Sequence, residues 1–317
     1  MSVSIVRHAL AASVLAGCCV LAGCTAAAAP RPASASPAAQ VTVPRSSPSP
    51  SASPSPSPRP PAPPRVSITR VRTPDGALVT VATFLGPARY VLHDGSGDPG
   101  PVARFRAGPA VTGAERSRLL AAFNGGFKLA AGVGGYMQEG RVIRPLRPGL
   151  ASLVIDRSGQ ARLGVWGRGV PAPGEAVYSV RQNLPPLVLH GRPTAAAADW
   201  GLWGATLGGG AYVARSAIGQ DAAGDLIFAA SMSAVPADLA SVLASHGART
   251  AMELDINPAW VQLDVARRPG GPLTAEIPGQ ARPADQYLVG WTRDFFTVLA
   301  ASASSPAASP FPTRLRS

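Results

Sequence analysis

Between Thr25 and Pro64 the chain is almost entirely alanine, proline and serine, and this tract decides where a fold can lie. It has almost no large apolar side chains to offset the entropy of ordering, so it is expected to stay disordered. Dense proline, as in Ser47-Pro48-Ser49-Pro50 and in Ser53 to Pro58, favours extended polyproline II. At about 3.1 Å per residue such a tract reaches on the order of 100 Å, and it reads as a spacer. A second Ala/Ser/Pro stretch, 300–317, reads as a disordered tail. Residues 65–299 remain for a core, enough for one large domain or two tightly fused halves.

Ahead of the tract, Arg7 and His8 precede an apolar run from Ala9 to Val20 that leads into Leu21-Ala22-Gly23-Cys24. A charged start, a short hydrophobic segment and small residues before a cut describe a signal peptide over 1–23. The run is too short to cross ~30 Å of hydrocarbon. The Leu-Ala-Gly-Cys ending resembles the lipobox of bacterial lipoproteins. That resemblance implies acylation of Cys24 and a chain anchored to the outer face of the cell membrane, with 24–64 as its tether. Leu15-Ala16-Gly17-Cys18 spells the same motif but leaves a very short apolar segment.

Cys18, Cys19 and Cys24 are the only cysteines, so the folded part has no thiol nucleophile, disulfide or thiolate metal site. The formal charge is +12, carried almost wholly by arginine, since Lys128 is the only lysine. Such a charge suits anionic partners such as phosphate-bearing wall glycans, and it also follows from GC-rich codon usage. The arginines are scattered, with no basic helix and no aromatic stripe, so nucleic acid is not expected as a partner. His93, His190 and His246 show no metal-ligand spacing. Gly132 to Gly135 and Gly208 to Gly210 fit no phosphate-loop pattern, and there is no Gly-x-Ser-x-Gly elbow.

The pattern along 65–299 predicts hairpins mixed with a few helices. Val66 to Val71 and Ala77 to Phe84 alternate around the turn Pro74-Asp75-Gly76. Thr112 and Glu115 form a capping-box pattern that predicts a helix through Leu120, followed by a strand over Ala121 to Phe123. Leu150 to Asp156 and Ala161 to Trp166 read as a hairpin, as do Arg215 to Gly219 and Leu226 to Phe228. Leu187 to Leu189 reads as a short strand turned by His190-Gly191. The best helix starts at Pro236, buries Leu239, Val242 and Leu243, and stops at Gly247. Met252 to Ile256 reads as a strand with Glu253, Asp255 and Asn257 on one face. The expected fold class is α+β: a mixed, largely antiparallel sheet with a few packed helices.

Three groups of residues suit chemistry. Glu253 and Asp255 are two acids on one strand face, and like charges held close push one pKa up, leaving one proton donor and one base. Glycoside hydrolysis uses such a pair, although a solvated edge strand has the same pattern. Asn124-Gly125-Gly126-Phe127 ends a strand, where two glycines let backbone N–H groups approach a ligand, or simply make a tight turn. Arg215 opens a strand and can grip phosphate in a bidentate fork. Glu253, Asp255 and Asn257 also carry the hard oxygens that Ca²⁺ or Mg²⁺ takes, but they serve equally without metal, and none is assigned.

Taken in order, four blocks of the chain resemble the phosphodiester glycosidase family. They are Ala121-Ala122-Phe123-Asn124-Gly125-Gly126-Phe127, Leu187-Val188-Leu189-His190-Gly191, Arg215 to Gly224, and Leu239 to Asp255. The resemblance implies a hydrolase acting on a sugar joined through phosphate, with Asn124, Arg215 and Asp255 on the motif positions. The substrate would be a sugar phosphate or wall glycan. The chain departs from the family after Asp255, where Ile256-Asn257-Pro258-Ala259-Trp260 replaces a glycine-rich turn. There Trp260 offers a platform for stacking a sugar. A glycan-binding descendant without catalysis is the alternative reading.

Overall fold

The computed structural model describes residues 65–100, 104–204 and 209–301. The expected signal peptide, Cys24, the tether and the tail beyond 301 lie outside the described residues. The α+β expectation is overturned. Among the described residues eighteen strands form three sheets, against three α-helices, two of them only four residues long.

The helix expected after Thr112 shows why. It ends after one turn, Gly113–Arg116 (α1), and Thr112 makes no side-chain capping bond. The Glu115 carboxylate that would complete the box is instead held by His93 Nε2 (2.7 Å) and Thr297 Oγ1 (2.5 Å). The chain then enters the strand Leu119–Asn124, every residue of which is buried. A strand covered on both faces loses its period-two signature, and tertiary contacts overrule the local helix signal.

The first sheet has seven strands, all pairs antiparallel, ordered Arg65–Arg72, Leu78–Leu85, Leu226–Ala234, Val213–Gln220, Thr250–Glu253, Val188–Leu189, Arg192–Pro193. The hairpins expected at 66–84 and 215–228 are both in it. The five-stranded sheet places Leu119–Asn124 at its centre, between Leu263–Ala266 and Phe295–Ala300. The six-stranded sheet is antiparallel except for one short parallel edge pair. It contains the expected hairpin Ala151–Ile155/Ala161–Trp166, flanked by Ser179–Gln182.

One core joins all three sheets. Phe123 of the five-stranded sheet stacks on Phe84 (5.6 Å) and Phe296 (5.3 Å) and packs tilted on Phe228 (5.2 Å). Tyr136 and Leu153 enter the same cluster from the six-stranded sheet, and Met252 and Leu254 from the seven-stranded one. The predicted helix, α2 (Pro236–Ser245), covers the opposite face of the seven-stranded sheet. Its Leu239, Val242 and Leu243 pack with Val79, Val81, Ala217 and Ala229. Its first turn is closed by Asp238 Oδ2, which accepts from Val235 N at 3.0 Å. The third helix, α3 (Gln286–Val289), closes the outside of the five-stranded sheet, where Tyr287 stacks on Phe295 at 4.4 Å.

Candidate active site

Three central strands bring the site together. Leu119–Asn124 ends at Asn124, Val213–Gln220 presents Arg215 and Ser216 near its start, and Thr250–Glu253 ends two residues before Asp255. Asn124 is buried, and its Nδ2 donates to Ser216 Oγ (2.8 Å) and Gly125 O (2.9 Å), while its Oδ1 accepts from Gln262 N (3.1 Å). Ser216 Oγ in turn donates to Asp255 O and accepts from Asp255 N, both at 3.2 Å. Asn124 is thus a strut between two sheets that fixes the Asp255 backbone, with every donor it owns engaged.

The strand expected to run to Ile256 stops at Glu253, and this separates the two acids. Asp255 lies at the floor of a cleft of about 430 Å³ lined by Phe127, Lys128, Ile256, Asn257 and Trp260 among others. Its carboxyl is only 5% exposed, and Oδ1 accepts from Ile256 N (2.7 Å) and Asn257 N (2.9 Å). Oδ2 faces Arg293 Nη2 at 3.7 Å. Burial pushes this carboxyl up to about 7, against the pull of those N–H groups and of Arg293. Trp260 forms one wall, with Lys128 Nζ 4.7 Å and the Arg293 guanidinium 4.6 Å from its ring centroid. Asp264 is also pushed to about 7 by burial, but it sits outside the cleft, held by Gln262 and Gln280. Asp255 is therefore singled out by its cleft and its partners, not by its pKa.

Glu253 and Arg215 face each other. Both side chains are fully buried, with Arg215 Nη1 donating to Glu253 Oε1 at 2.7 Å. Arg215 also donates to Ala234 O and Trp203 O, each at 3.1 Å. Arg215 Nη2 and Glu253 Oε2 have no hydrogen-bond partner among the described residues. Burial pushes the Glu253 carboxyl up, while the Arg215 guanidinium at 2.7 Å pulls it the other way. Neither residue lines the cleft. Gly125 and Gly126 are required by packing: a Cβ would lie 2.1 Å from Asp294 Oδ2 in the first case and 2.9 Å from the Arg181 guanidinium in the second. Asn257 Oδ1 accepts from Ala259 N, so the three oxygen groups considered for a cation are engaged separately.

Comparison with known proteins adds a family match over part of this geometry. The family model described as phosphodiester glycosidase matches residues 117–255. Residues 117–255 carry a phosphodiester glycosidase domain. Two solved structures are similar to the chain. One is zebrafish N-acetylglucosamine-1-phosphodiester alpha-N-acetylglucosaminidase, a catalytic domain auto-inhibited by its pro-peptide. It is 14% identical with a TM-score of 0.47, over 74% of this chain and 82% of that one. The other is a Burkholderia pseudomallei protein described as exported, 16% identical with a TM-score of 0.37, over 71% of this chain and 74% of that one. No curated protein matches by sequence.

The phosphodiester glycosidase match stops at Asp255, but the site continues beyond it. Arg293 reaches Asp98 and donates to Gly126 O (3.1 Å) besides facing Asp255. Its neighbour Asp294 accepts from Arg181 Nε at 2.7 Å, in an ion pair as buried as that of Arg215. Asp294 O also accepts from Gly125 N at 2.9 Å. Sequence reasoning missed Lys128, Arg181, Arg293 and Asp294. The available signal was Arg293-Asp294 set directly before the apolar run Phe295 to Ala300: charges at the mouth of a buried strand need partners.

Proposed function

We propose that this chain is a hydrolase of sugar-1-phosphodiester bonds in extracytoplasmic wall or capsular glycans, held at the membrane by a lipid on Cys24. The family match over 117–255 supports the reaction class. The leader, lipobox and tether read from the sequence support the location.

One observation carries the choice of bond. Among the described residues lining the cleft, Asp255 is the one carboxylate. An ordinary glycosidase needs two carboxyl groups because its leaving alcohol must be protonated. A phosphate leaves as a stabilised anion, so a single carboxylate suffices when cations stand nearby. In this reading the ionised Asp255 takes a proton from water. The water oxygen bonds to the anomeric carbon, and the bond from that carbon to the phosphate oxygen breaks, its electron pair leaving with the phosphate. Arg293 and the N–H groups of Ile256 and Asn257 aim the carboxylate. Trp260, Phe127 and Ile256 supply the apolar wall for the sugar. Asn124, Gly125 and Gly126 position the site through Ser216 and Asp294, and the Arg215–Glu253 pair supports it from below.

The test is turnover of a panel of sugar-1-phosphodiesters by the wild type and by Asp255→Asn. The variant should lose roughly 10³-fold or more in kcat while binding substrate about as well. Wild-type binding without turnover on any member would replace this reading with that of a glycan-binding module.

A further inference from the structure

Lys128 is the chain's only lysine, and it lies in the cleft. The other cations near Asp255 are already committed. Arg293 is tied to Asp98, Gly126 O and Asp255, and Arg215 is sealed on Glu253. No carboxylate of the described residues lies within 4.0 Å of the Lys128 ammonium. Its side chain is exposed, yet its backbone is pinned on both sides. Phe127 O accepts from Arg181 Nη2, Leu129 N donates to Asp98 Oδ2 (3.0 Å), and Lys128 O accepts from Ala131 N (2.9 Å). A fixed stem therefore carries an uncommitted head, which the Trp260 ring holds at 4.7 Å.

We propose that Lys128 is the phosphate-binding residue of the cleft, gripping the leaving phosphodiester oxygens while Trp260 aligns its ammonium. This rests on the phosphodiester reading above and moves the phosphate contact from Arg215, which is buried, to Lys128. The chemistry suits a lysine: a compact point charge with three donors follows a phosphate whose charge grows as the bond to the sugar breaks. The contact then strengthens towards the transition state, so it acts on kcat as well as KM. It also separates the charges in the cleft, with the anion at the Lys128 rim and the anomeric carbon over Asp255.

A lone lysine makes the test direct. Reductive ¹³C-methylation of the full chain keeps the charge and labels one ε-amine besides the amino terminus. The signal absent from Lys128→Arg identifies the side chain. Inorganic phosphate, at ionic strength matched with chloride, should move that signal saturably, and neutral N-acetylglucosamine should not. Trp260→Ala should weaken phosphate binding, and in unlabelled protein Lys128→Met should weaken it roughly 10–100-fold, the worth of one charge-assisted contact. An unmoved signal, or one that chloride moves equally, overturns the assignment. The two readings fail separately. Saturable phosphate binding without turnover sinks the hydrolase and spares Lys128, whereas turnover undiminished in Lys128→Met sinks Lys128 and spares the hydrolase.

Discussion

Glu253 and Asp255 stand two residues apart in contrasting surroundings. Glu253 ends a strand with its carboxyl fully buried against Arg215 and does not line the cleft. Asp255 lies in the loop that follows, and its carboxyl, nearly as buried, opens onto a cleft with the Arg293 guanidinium 3.7 Å away. Burial raises both carboxyls, yet one has a full ion-pair partner and the other has mostly backbone N–H groups. A buried acid sealed against its ion-pair partner is structural, whereas one that opens onto a cavity is placed to meet a ligand.

The largest effect should come from breaking the sealed pair, and it should be asymmetric. A carboxyl that loses its arginine can escape the penalty by taking up a proton, but a guanidinium that loses its carboxylate cannot shed one. Glu253→Ala should therefore cost about 3–5 kcal/mol in urea unfolding at neutral pH. Arg215→Met should cost less, roughly 1–3 kcal/mol. Arg215→Met/Glu253→Leu should recover most of the loss, because two well-packed apolar groups replace a buried pair at little net cost. Equal losses for the two single variants would mean that the pair is not ionised in the folded protein.

The same contrast explains how much could be read from the sequence. Period-two alternation located Met252 and Leu254 in the core, and the turn residues located the hairpins at 66–84 and 151–166. Alternation also placed Glu253 and Asp255 on one face, and there it stopped being informative, because the strand ends between them. Strands buried on both faces, such as Leu119–Asn124, look like continuous apolar runs, and the capping-box signal before one of them suggested more helix than forms. The Arg181–Asp294 pair was illegible for a different reason. Its members are 113 residues apart, and only the meeting of two sheets brings them to 2.7 Å. What the sequence did carry there was indirect: Gly125 and Gly126 are glycines because Asp294 and Arg181 leave no room for a Cβ.

Activity should follow the ionisation of Asp255 alone. With its carboxyl near 7 and acting as base, kcat/KM should fall about tenfold per pH unit below 7 and level off above it. A profile that rises on acidification would give Asp255 the role of proton donor and undo the single-carboxylate argument.

The smallest effect is the stability stored in the same group, and its sign is fixed by the direction of the shift. The folded-state pKa of Asp255 is raised from 3.8 to about 7, so the folded protein binds this proton more tightly than the unfolded chain does. The stabilisation is complete below about 4 and is lost as pH rises through 7, at about 1.4 kcal/mol per pKa unit before water in the cleft trims it. Asp255→Asn keeps the oxygen that Ile256 N and Asn257 N donate to and cannot ionise. Relative to wild type it should gain roughly 1–2 kcal/mol between pH 4 and pH 8, read as a Tm difference that widens with pH. Arg215→Met/Glu253→Leu, which leaves Asp255 intact, should retain the Asp255 part of that loss. If Asp255→Asn shows no widening, the Asp255 carboxyl is not raised in the folded protein, and the contrast between an acid sealed on its partner and one poised in a cleft falls with it.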